Sequence, residues 1–118
     1  MGQAIQQHQE RRRYPRHPAR DLVARIGAVD YPVENISLDG VRLSGGTVPR
    51  DRIVTVVLRH TGPLADSAGR DATALPAQVV DQTDSYSLLR FQRTSVSLLR
   101  LICDQVSINL GVCLPTEL

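Results

Sequence analysis

Two short groups of residues in this chain could do chemistry together. The first is an arginine cluster near the start, in which Arg11 and Arg12 stand four to five residues ahead of Arg16. Pro15 and Pro18 interrupt it, and proline fixes φ and pushes its predecessor toward extended backbone, so residues 11–20 are expected to form an extended arm and not a helix. Two guanidinium groups on such an arm can clamp an anion from two directions, or stack on a purine. The second group is Asn35, Ser37 and Gly40. A spacing of two puts Asn35 and Ser37 on one face of a strand. There an amide and a hydroxyl can donate to and accept from a base edge or a phosphate. Gly40 is expected to supply a positive φ and close backbone approach. About 20 residues separate the groups, one strand out and one strand back, so the arm can lie beside the hairpin.

Each group alone says little. An arginine run near a terminus is, by itself, a solvated tail, and Arg13 and Arg20 are read that way. Asn35-Ile36-Ser37 alone is a glycosylation pattern, but no secretory signal accompanies it. Asparagine and serine before Asp39-Gly40 also suit a plain hairpin. His8, His17 and His60 have no metal-ligand spacing. Ser37 has neither a nucleophile elbow nor a visible base, and the acids are scattered, so no catalytic residue is nominated and a receptor is expected instead of an enzyme. Cys103 and Cys113 fit no metal or redox motif and are expected to be buried, reduced and structural.

The elements that must position these residues follow from composition and periodicity. A length of 118 residues suits one domain. Aromatic content is only 3%, so the core must be built from Val, Leu and Ile. The net charge of +2 hides an asymmetry: residues 1–20 hold five arginines and one acid, residues 21–118 nine arginines and eleven acids. All the basic residues are arginine. A basic arm on a mildly acidic body points to an anionic partner for the arm.

Residues 1–10 read as a disordered leader and 112–118 as a tail. Residues 21–93 read as a barrel of short strands. Leu22 to Ile26, Tyr31 to Ile36, Val41 to Leu43, Ile53 to Leu58, Ala74 to Asp81 and Tyr86 to Gln92 carry the strand signals, with 60–71 as a loop. Residues 94–111 read as a helix. Its expected apolar stripe is Val96, Leu99, Ile102, Cys103, Val106 and Leu110, capped by Thr94 or Ser95 and ended by Gly111. No stretch approaches the length of a membrane span, so a cytoplasmic protein with no membrane insertion is expected.

Arg12-Arg13-Tyr14-Pro15-Arg16 followed by Asn35-Ile36-Ser37-Leu38-Asp39-Gly40 resembles the PilZ family of bacterial receptors for the second messenger cyclic di-GMP. The family pattern is R-x-x-x-R in an N-terminal arm, then [DN]-x-S-x-x-G at a barrel hairpin, and both halves match without a gap. The resemblance covers about residues 10–110. It implies a mainly β fold: a six- or seven-stranded antiparallel barrel with a C-terminal α-helix and a flexible N-terminal arm. It implies that Arg12 and Arg16 grip phosphates and guanines, that Asn35 and Ser37 hydrogen-bond a guanine and its phosphate, and that Gly40 gives room. An arginine directly before the motif, here Arg11, accompanies binding of a stacked, intercalated ligand dimer in this family. The chain departs from some relatives near Gln78, where they place an aromatic residue against the ligand, so affinity would rest more on arginines.

The implied mechanism is an arm that folds onto the barrel when phosphates neutralise it, offering a surface to a downstream protein. No DNA partner is expected, and the only bound group is the ligand itself, without a further cofactor or metal. Other functions remain open from the residues alone. They are a single-stranded nucleic-acid binder, disfavoured by the lack of an aromatic platform, a ligand-blind interaction module, and a regulatory domain excised from a polysaccharide synthase.

Overall fold

Alternation of apolar and polar residues builds most of this molecule. In the computed structural model, which describes residues 14–62 and 72–111, seven strands precede one helix. They are β1 (His17–Pro18), β2 (Leu22–Ile26), β3 (Val29–Ile36), β4 (Gly40–Ser44), β5 (Val54–His60), β6 (Thr73–Gln82), β7 (Tyr86–Phe91) and α1 (Val96–Asn109). The strands pair antiparallel in the order β3-β2-β5-β6-β7-β4, and β4 returns to pair with β3, closing a six-stranded barrel. Closure removes the free edges that would invite a second chain. The expected barrel with a C-terminal helix is therefore the observed fold, and the seventh strand is part of the arm. Residues 1–13, 63–71 and 112–118, which include the expected leader, tail and most of the loop, lie outside the described residues.

Strand limits differ from the sequence expectation at two strand ends. β3 begins at Val29, two residues early, because Gly27 takes φ +63° and makes a two-residue turn with Ile26 facing Val29. β5 runs on through His60, which periodicity assigned to the loop.

Alternate residues of each strand fill the barrel: Ala24, Ile36, Val56, Leu58, Ala77 and Leu89 are almost wholly excluded from solvent. Two bulges interrupt the alternation. The register slips between Val33 and Asn35 on β3 and between Val79 and Asp81 on β6. A bulge adds a residue to one strand and re-aims the side chains after it. On β3 this sends both Val33 and Ile36 inward although they are three apart.

The helix is 14 residues long, capped by the Ser95 hydroxyl, which accepts from the Leu98 N–H, and ended by Gly111 at φ +71°. Its buried face is not the expected stripe. Leu98, Leu101, Ile102 and Gln105 point into the protein, an i, i+3, i+4, i+7 pattern. Val96, Leu99, Cys103 and Leu110 are exposed. Two apolar stripes about one residue apart share Ile102, and the polar Gln105 disguises the one that packs. Cys103 is thus an exposed free thiol, not a buried structural residue, and Cys113 lies outside the described residues. Arg100, on the outer face of the helix, is solvent-exposed.

Candidate functional site

The arm is fixed to the body by backbone bonds that a sequence pattern cannot reveal. His17 faces Ile36 and Pro18 faces Asn35 in the β1–β3 ladder, and the Ala19 N–H donates to the Glu34 carbonyl at 3.0 Å. β1 and β2 therefore run end to end along one edge of β3. Asp21 bridges them at φ +53°, a left-handed conformation that aspartate tolerates better than most residues.

Helix side chains complete the attachment. The Gln105 carboxamide, fully buried, accepts from the Arg20 N–H at 2.7 Å and donates to the Arg20 carbonyl at 3.0 Å. One turn later Asn109 donates to the Pro18 carbonyl at 2.7 Å. The same Gln105 amide nitrogen lies 3.3 Å from His60 Nδ1, and His60 Nε2 lies 3.5 Å from Asp104 Oδ2. His60, Asp104 and Gln105 form a buried polar seam joining β5, the helix and the arm. The expected looseness of the arm is thus corrected for residues 17–20, which are held by pairing and by two helix amides.

This docking brings the two motifs together. A small polar cleft of about 70 Å3 is lined by Arg16 from the arm, Asn35, Ser37, Asp39, Gly40 and Val41 from the β3–β4 hairpin, and Val80, Leu88, Leu89 and Arg90 from β6 and β7. Of the six residues singled out by sequence, Arg16, Asn35, Ser37 and Gly40 meet here. Arg11 and Arg12 lie outside the described residues. Among the described residues, the side chains of Arg16, Asn35 and Arg90 form no hydrogen bond or ion pair, so their donors face the cleft uncommitted.

Ser37 does different work from that expected, and Gly40 meets only the close-approach half of its expectation. The Ser37 hydroxyl is buried and donates to Asp39 Oδ1 at 2.5 Å, while the Ser37 N–H donates to the Gly40 carbonyl at 2.9 Å. Ser37 therefore shapes the turn and holds Asp39, and its proton is already spent. Gly40 does not take a positive φ. Its role is close approach: a Cβ there would meet the Leu89 carbonyl oxygen at 2.5 Å, so glycine lets β4 and β7 close the barrel.

A second concavity, about 430 Å3 and apolar, runs between the arm and the helix. Tyr14, Pro15 and His17 form one wall, Leu38 of the hairpin another, and Leu99, Ile102, Cys103 and Val106 the helix side. This groove takes up the apolar stripe that does not reach the core. It is the larger of the two, yet it presents few groups that could orient an anion, so the polar cleft is the candidate site.

On the outer wall of the barrel, Arg42 stacks over the Tyr86 ring, 3.9 Å from its centroid, and pairs with Glu34 at 2.8 Å. The Tyr86 hydroxyl donates to Asp81 Oδ2 at 2.9 Å. This hydrogen bond is the main cause of a raised Tyr86 pKa, with lesser contributions from burial and the Asp81 charge, opposed by Arg42. Among the described residues no cluster of His, Cys, Asp and Glu could hold a metal ion, and no helix is long and apolar enough to cross a membrane.

Arg90 is the site residue that sequence reading missed. Its only signal was its outward position on β7, visible once the register is known.

No protein-family model matches the chain. No curated protein matches it either. Among solved structures, the chain is similar to the crystal structure of an uncharacterized Legionella protein. The likeness has a TM-score of 0.59 and 13% sequence identity, and covers 83% of this chain and 97% of that one. At that identity the likeness concerns the fold alone.

Proposed function

We propose that this chain is a receptor domain of the PilZ type, binding cyclic di-GMP in the polar cleft. The observation that carries the reading is the convergence of Arg16 with Asn35 and Gly40, two motifs far apart in sequence that share one wall of the barrel. Arg16 supplies a charged planar fork for a phosphate. Asn35 supplies an amide that can both donate to and accept from a guanine edge. Ser37 holds the turn that presents them.

The cleft is far smaller than the several hundred Å3 typical of a complete small-molecule site. It suits one phosphate with the edge of its base. Arg11 and Arg12 would hold the remainder of the ligand, and Arg11 would favour a stacked ligand dimer. The ordering step belongs to the arm ahead of β1, because His17 to Arg20 are already pinned. Tyr14, Pro15 and His17 also wall the apolar groove, so an arm fixed by ligand completes a second surface for a downstream protein.

A single-stranded nucleic-acid binder gains no support. Tyr31 and Phe91 are buried, and Tyr86 is covered by Arg42, so these rings offer no stacking platform.

Calorimetric titration with cyclic di-GMP, GMP and a short single-stranded RNA tests the reading. Micromolar or tighter binding of cyclic di-GMP alone is expected, with loss in Arg16→Ala. Equal binding of RNA with steep salt dependence would overturn it in favour of the nucleic-acid binder.

A further inference from the structure

We infer that Arg90 is a further ligand-binding residue of this cleft, acting as the second phosphate-directed cation on the barrel wall opposite the arm. The inference rests on the reading of the cleft as a nucleotide site.

Register places the residue. Arg90 faces Gly40 across the β4–β7 ladder and Gln78 across the β6–β7 ladder. Directly opposed residues share a face, so Gln78, Arg90 and Gly40 form one row on the outside of the barrel. Gly40 adds no side chain beside Arg90 in this row; the Leu89 carbonyl occupies the place its Cβ would take. The β6 bulge at Val80 turns an exposed valine into the same cleft and bounds the row on its far side. The Arg90 residue is exposed and lines the cleft, and its side chain has no hydrogen bond or ion pair with any described residue.

Charge gives the reason it is needed. Among the described lining residues the cleft holds two cations, Arg16 and Arg90, and one anion, Asp39. Asp39 is kept in place by the Ser37 hydroxyl and cannot swing away without losing that bond. Arg16 alone would leave the cleft neutral. Arg90 makes it cationic, which a phosphodiester requires. Arg16 approaches from the arm and Arg90 from β7, so the two forks can take oxygens on different sides of one phosphate. Alternatively one fork takes the phosphate and the other lies over the adjoining base, the same chemistry from a second direction.

Titration calorimetry with cyclic di-GMP on the full chain tests this. Arg90→Ala is expected to weaken binding roughly tenfold to hundredfold, as loss of a charged hydrogen-bonding group does. It should also flatten the salt dependence. Arg90→Lys, which keeps charge but not the fork, should fall between Arg90→Ala and the unaltered chain. Arg93→Ala, an exposed arginine beyond the end of β7 that does not line the cleft, serves as the control and should bind normally. An unchanged melting curve for Arg90→Ala separates loss of contact from loss of fold. If Arg90→Ala binds like the unaltered chain while Arg16→Ala does not, the role of Arg90 is overturned and the nucleotide site stands. If the unaltered chain does not bind cyclic di-GMP, the nucleotide reading falls and this inference falls with it.

Discussion

Replacing Gln105 with leucine should loosen the arm's attachment to the helix, leaving the Asn109–Pro18 bond and the closed barrel in place. The side chain is fully buried and makes three contacts, to the N–H and carbonyl of Arg20 and to His60 Nδ1. Each is worth about 0.5–1.5 kcal/mol net. Leucine regains part of that through apolar burial, roughly 1–2 kcal/mol. Against that gain, His60 Nδ1 and the Arg20 backbone groups lose their partner, and a buried polar group left unsatisfied costs about 1–3 kcal/mol. The expected net loss is about 2–3 kcal/mol. With a urea slope of roughly 1–3 kcal/mol per molar, the unfolding midpoint should fall by about 1–3 M. Amide hydrogen exchange at Ala19 and Arg20 should accelerate well beyond the global change, because local opening at Arg20 no longer requires breaking the Gln105 bonds. A midpoint shift corresponding to less than about 0.5 kcal/mol, with exchange at Arg20 unchanged, would refute the assignment of Gln105 as the clamp.

Further outcomes follow from the same geometry. Gly40→Ala should cost about 1–3 kcal/mol, read as a lower melting temperature, because its Cβ overlaps the Leu89 carbonyl; a neutral result would mean β4 and β7 can separate freely. Leu98→Ala should cost about 2–5 kcal/mol and Leu99→Gln less than about 0.5 kcal/mol in chemical unfolding, the reverse of what the sequence stripe implies. Asp81→Asn should lower the Tyr86 pKa, seen as phenolate absorbance appearing at lower pH. The raised folded-state pKa means that this contact stabilises the fold below the ordinary tyrosine range and is lost as pH rises through the folded value, so an unchanged alkaline titration would count against the hydrogen bond.

The sequence made six barrel strands and one helix legible because each buries one face, and burial imposes a period. It could not reveal β1: His17 and Pro18 have no alternation, and what holds them is main-chain pairing with Asn35 and Ile36. The bulges at Glu34 and Val80 were also hidden, since one extra residue leaves no compositional mark. The helix face was misread because Gln105 is polar and buried for its hydrogen bonds, whereas Leu99 is apolar and faces the groove. At the cleft, residue types marked Arg16, Asn35, Ser37 and Gly40, but roles needed coordinates. Ser37 turned out to hold Asp39, Gly40 to admit a neighbouring strand, and Arg90 to arrive from a strand some 50 residues further along.

The most direct test of the central claim is an amide-resolved NMR titration of the full chain with cyclic di-GMP. Saturable shifts are expected at Arg16, Asn35, Asp39, Gly40 and Arg90, together with sharpening of signals from residues 11–16. Shifts confined to the helix groove, or none at saturating ligand, would contradict the account.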